Sequence, residues 1–114
     1  MLKRDADSVL MRIFISENHR YGKKPLYEAL VELFRLEGFA GATVLRGIMG
    51  FGSQHETHSD RLLRLSSELP IVVEVIDRQE KIDNILPKLD EMMTGGMVTI
   101  EKARVIRYYD TEES

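Results

Sequence analysis

Gly50, Phe51, Gly52, Ser53 and Gln54 form a short glycine-rich stretch ending in an amide, and Arg107 stands in an apolar run near the other end of the chain. Glycines let a backbone approach a ligand closely, hydroxyl and amide groups give directional hydrogen bonds, and a guanidinium pairs bidentately with phosphate oxygens. Brought together, these groups would hold a phosphate-bearing ligand rather than transform it. Taken singly, Gly50 and Gly52 would need to do no more than end a strand. No serine, histidine and acid at a convincing spacing mark a nucleophile, and Asp90 with Glu91 reads as ordinary helix surface. The other polar constellation is His55, Glu56, His58 and Asp60. Two imidazoles three residues apart, with carboxylates nearby, are donors for zinc, nickel or copper. A polar loop does not preset them and no fourth strong ligand is evident, so no metal site is assigned and His55 and His58 stand only as weak candidates.

At 114 residues and 43% apolar, the chain is long enough for one core and too short to divide sensibly into two, which gives a single domain over 1–114. It has no cysteine, excluding disulfides and thiolate chemistry. A net charge of −3 with a pI near 5.6 argues against sequence-independent nucleic-acid binding, which needs a basic surface to displace counterions. Any anion site must be local. The apolar runs are strand-sized and the first residues lack the apolar core of a signal peptide, so the expected location is cytoplasmic.

Six elements are needed to position these groups. Val9 to Ile15 is almost continuously apolar, as a central strand buried on both faces would be. Ser16 to Lys24 reads as a loop, where Arg20, Lys23 and Lys24 are either solvated or available to an anion at the start of the next helix. Pro25 suits a first helical turn, Leu26, Ala29, Leu30, Leu33 and Phe34 share a helical face, and Gly38 caps it. Ala42 to Met49 reads as a second strand weakened at Gly47, followed by a long polar excursion to residue 69. Ile71 to Ile76 is a third strand. Asp77 and Glu80 are spaced as a capping pair for a second helix, whose stripe is Ile82, Ile85, Leu86, Leu89, Met92 and Met93. Pro87 within that stripe predicts a kink or an early break, and Gly95 and Gly96 close the helix. Met97 to Tyr108 is the last strand, with a slip of apolar phase that suggests a bulge near Glu101 and Lys102.

The order βαββαβ predicts an α+β, ferredoxin-like sandwich, a four-stranded antiparallel sheet with both helices on one face. Apolar residues at both parities of the first and third strands leave the second face in need of cover. At about 25 cal/mol per Å² of apolar surface, that face favours self-association.

In this setting the residues 38–44, Gly50 to Gln54, the return at Leu69 and Pro70 into Ile71 to Glu74, and Ala103 to Arg107 resemble the PII signalling proteins. The chain looks closer to an offshoot of small PII-like proteins than to the nitrogen regulators, and the first loop, His19 to Lys24, is a further mark of that offshoot. The resemblance implies a homotrimer whose clefts bind an adenine nucleotide, with residues 53–69 as a mobile, T-loop-like segment that engages a protein partner, a membrane protein among the candidates. By carry-over Thr43, Gly50, Phe51, Gly52, Ser53, Gln54, Glu74 and Ile76 line the nucleotide pocket, Gln54 sits where the family coordinates a magnesium-bound effector, and Arg107 binds phosphate. PII proteins also hold the outer phosphates with a lysine-bearing glycine turn. Here Thr94, Gly95 and Gly96 run almost directly into the strand without that lysine, so ADP or AMP is the expected ligand. Tyr109 replaces a second basic residue, and residues 53–69 contain no tyrosine to modify. The reading is of a sensor and not an enzyme. The alternatives are a trimeric metal-binding protein of the copper-tolerance type, which shares the fold and would bind metal through His55 and His58, and a small nucleotide- or metabolite-processing enzyme.

Overall fold

The computed structural model describes residues 2–51 and 69–110. Its elements are β1 (Leu2–Ser16), β2 (Arg20–Tyr21), β3 (Lys24–Pro25), α1 (Leu26–Leu36), β4 (Ala42–Arg46), β5 (Pro70–Asp77), α2 (Gln79–Met92) and β6 (Met97–Tyr109). The main sheet has the order β4-β5-β1-β6 with every neighbouring pair antiparallel, which is the ferredoxin-like arrangement.

Alternation decides which face each residue serves. Val9, Met11, Ile13 and Ile15 of β1 and Ile71, Val73 and Val75 of β5 point to one side, where they close on Leu26, Ala29, Leu30 and Phe34 of α1 and Ile82, Ile85, Leu89 and Met92 of α2. Both helices therefore cover the same face. The intervening residues Leu10, Phe14, Val72 and Ile76 are half-buried on the other side, so β1 is not buried on both faces as its composition suggested.

α1 follows its apolar spacing and ends where Gly38, at φ +77, lets the amide of Phe39 donate back to the Phe34 carbonyl at 3.0 Å. The segment read as a loop before it is a short β2–β3 hairpin turning at Gly22, with Arg20 opposite Pro25. β4 is shorter than expected: it stops at Arg46, and Ile48 and Met49 are exposed rather than paired. The Asp77–Glu80 capping pair is not made. Arg78 takes the cap position, and Asp77 instead accepts from the amides of Arg78 (2.8 Å) and Ala40 (3.1 Å), tying the start of α2 to the chain entering β4.

Helix α2 runs unbroken through Pro87, which lies on the exposed side and not in the buried stripe, so the carbonyl it leaves unpaired can meet water. The bulge at Glu101 and Lys102 is also absent. Pairing of β1 with β6 runs without interruption from Leu2↔Tyr109 to Phe14↔Met97. The apolar phase slips because β6 leaves the helical layer near Lys102, opposite Val9. Val98 packs on the helical side, whereas Ala103, Val105 and Tyr109 are the half-buried residues of the other side. Residues 2–8 and 103–109 thus form a two-stranded ribbon extending past the core.

Candidate functional site

On the face away from the helices, Thr43 of β4 lies directly opposite Glu74 of β5, and Ile76 follows two residues on, on the same side. These three predicted pocket residues are neighbours. Glu74 is already engaged: the Arg12 Nε donates to its Oε2 at 2.8 Å, and Arg12 Nη1 donates to Glu101 Oε1 at 2.7 Å. The hydrogen bond to Glu74 is the main reason the Arg12 guanidinium is held even above its ordinary value. The row Thr43, Glu74, Arg12 and Thr99 therefore crosses all four strands as a polar band.

The glycine stretch begins at the end of β4. Gly47 donates its amide to the Pro70 carbonyl at 2.7 Å, and a Cβ on Gly47 would stand 2.6 Å from the Pro70 Cγ, so only glycine fits there without displacing the re-entering strand. Gly50 stays against the same proline, while Phe51 is 75% exposed. Gly52, Ser53, Gln54, His55 and His58 lie outside the described residues. Thr94, Gly95 and Gly96 form the turn from α2 into β6 at this same end of the sheet, because Met97 is aligned through Phe14 and Val72 with Leu45. At φ +97, Gly96 lies so close to the Phe14 carbonyl that a side chain there would collide with backbone.

Arg107 is elsewhere. It lies eight residues beyond Thr99 on β6, on the ribbon and opposite Arg4, which at the strand rise places it about 27 Å along the sheet from the Thr43–Glu74 row. Within one chain the two groups share a face but cannot touch one ligand. A shallow hollow of about 200 Å³ beside Glu37, Phe39, Arg78 and Lys81 involves none of the predicted residues.

The DUF190 family model (Uncharacterized ACR) matches residues 8–105. The chain belongs to the DUF190 family. A UPF0166 protein of Aquifex aeolicus is 41% identical over 97 residues, covering 85% of this chain and 91% of the relative. Among solved structures, CPII of Thiomonas intermedia K12, a nitrogen regulatory PII-like protein bound to ADP, AMP and bicarbonate, superposes with a TM-score of 0.57 at 15% identity, covering 93% of this chain and 100% of that one. A putative PII-like signaling protein of Thermus thermophilus gives a TM-score of 0.56 at 22% identity, covering 90% of this chain and 91% of that one. This DUF190 chain thus has the PII-like fold.

Residues that composition did not single out in the DUF190 chain now stand beside the predicted ones. Arg12 was visible as the one charge inside the apolar run of β1. Glu17 carried no such signal, yet it braces both feet of the excursion: Arg46 Nε donates to its Oε2 at 2.9 Å, and the Leu69 amide to its Oε1 at 3.3 Å. Arg104, on the helical side of the ribbon, pairs with Asp5, whose carboxyl it holds below the ordinary range.

Proposed function

We propose that this protein is a PII-like sensor that binds an adenine nucleotide, ADP or AMP, in clefts between the subunits of a cytoplasmic homotrimer, and that it regulates a protein partner through residues 53–69. The observation that carries this reading is the separation of Arg107 from the Thr43–Glu74 row along one sheet face. A cation on a projecting ribbon and a polar row toward the opposite end of the sheet would make one phosphate-binding site only when two copies contribute. The ADP and AMP held by CPII support the choice of ligand, and the turn at Thr94 to Gly96, lacking a lysine, supports a short phosphate chain. Thr43 and Ile76 would flank the base, with Glu74 positioned by Arg12. Gly50 to Gln54 would follow the ligand into the partner-binding segment, with magnesium at Gln54 when an effector accompanies the nucleotide. Regulation would arise because the ligand contacts one arrangement of that segment better than the others.

Calorimetric titration with AMP, ADP and ATP, with and without magnesium, tests the reading. ADP or AMP should bind at least as tightly as ATP. Arg107→Ala should weaken binding by about ten- to a hundredfold, the value of a charge-assisted bond, without altering the oligomer. No binding at millimolar nucleotide, or an unchanged affinity in Arg107→Ala, would discard the assignment.

A further inference from the structure

The ribbon sets two arginines face to face. Arg4 and Arg107 are direct cross-strand partners on the same side, and both are exposed. Like charges directly opposed destabilise a strand pair. Elsewhere this chain neutralises comparable cations: Arg104 pairs with Asp5 and Arg12 with Glu74 and Glu101. Arg4 and Arg107 have no ion-pair partner among the described residues. Asp5 and Asp7 alternate to the opposite side of β1, and the neighbours on the arginine side, Ala6 and Val105, carry no charge. Arg4 is nevertheless held in place, its guanidinium 5.8 Å from the centroid of the half-buried Tyr109 ring.

We propose that Arg4 and Arg107 together grip one phosphate group, of a diphosphate or phosphomonoester ligand, with Tyr109 positioning Arg4. An oxyanion between the two guanidiniums replaces a repulsion with two charge-assisted, fork-shaped contacts. The proposal rests on the sensor reading for the identity of a nucleotide ligand, and on the ribbon alone for the anion chemistry.

The test uses the full chain, with pyrophosphate and ADP as separate probes in titration calorimetry and thermal unfolding, for the wild type, Arg4→Gln and Arg107→Gln. Pyrophosphate should bind and raise the melting temperature of the wild type, and each substitution should weaken it about tenfold. Without ligand, Arg4→Gln should melt at or above the wild-type temperature because a repulsion is gone; a purely structural arginine would lower it. Equal ligand affinity in wild type and Arg4→Gln overturns the proposal even if ADP binds. Pyrophosphate binding that depends on both arginines, without any response to ADP, upholds the anion site and discards the nucleotide reading. Binding of neither probe ends both.

Discussion

Three donors converge on the Glu17 carboxylate: the Arg46 Nε and Nη2 groups, at 2.9 and 3.2 Å, and the Leu69 amide, at 3.3 Å. The Glu17 amide in turn donates to the Leu69 carbonyl at 3.0 Å. One side chain thus pins the end of β4 and the start of β5, the two feet of the segment proposed to meet a partner. The hydrogen bond from Arg46, which outweighs the effect of burial, holds the carboxyl below its ordinary value. Because the folded state favours the deprotonated form, the brace is complete above the ordinary carboxylate value and is lost as pH falls through the depressed one. Hydrogen exchange at the Leu69 amide, corrected for intrinsic rate, should be slow at neutral pH and accelerate on acidification through that window. Glu17→Ala, which removes the acceptor, should exchange quickly at neutral pH and lose this acid limb. Indistinguishable exchange in the two proteins at neutral pH would remove Glu17 from the role.

Elements carried most of what could be read without coordinates. The helix boundaries near Leu26 and Gly38, the strand at Ile71 to Ile76 and the overall order followed from period and turn chemistry, since these signals are local. What escaped was set by pairing. The opposition of Arg4 to Arg107, the clasp of Arg12 and the straight passage of β6 past Glu101 all depend on register across strands distant in sequence. The expected nucleotide residues were legible as types, and their division between two ends of the sheet was not. The turn elements make this context measurable. Gly22 and Gly96 both have positive φ, but a Cβ on Gly22 meets nothing within 4 Å, whereas on Gly96 it meets the Phe14 carbonyl and, at 3.0 Å, Ile15 Cγ2. Gly22→Ala should cost only the left-handed strain, about 1 kcal/mol. Gly96→Ala adds a backbone collision between β6 and β1 and should cost at least about 2 kcal/mol. Urea denaturation compares them directly, and equal costs would mean that the α2–β6 turn relaxes without disturbing the sheet.

At the scale of the whole molecule, the uncovered sheet face is ordered in bands. Met97, Phe14, Val72 and Leu45 form an apolar row crossing all four strands, adjacent to the polar row of Thr99, Arg12, Glu74 and Thr43. Met97 and Leu45 at the ends of the apolar row are 55% and 49% exposed in the single chain, and the ribbon extends a molecule whose long axis is 56 Å. A solitary chain would leave this row wet and the arginine ribbon unsupported, while association covers the row at about 25 cal/mol for each Å² of apolar surface removed from water. For the trimer proposed above, light scattering at micromolar concentration should give three times the chain mass of 13.1 kDa. Leu45→Asp combined with Met97→Asp should shift the population to single chains with an unchanged circular dichroism spectrum, since both positions are exposed in the isolated fold and a carboxylate there is costly only when covered. The same variant should lose ADP binding while keeping Arg4 and Arg107 intact, because a site divided between subunits vanishes with the assembly. A wild-type mass near that of one chain, or a dispersed variant that still binds ADP with wild-type affinity, would show that the pocket does not need a second copy.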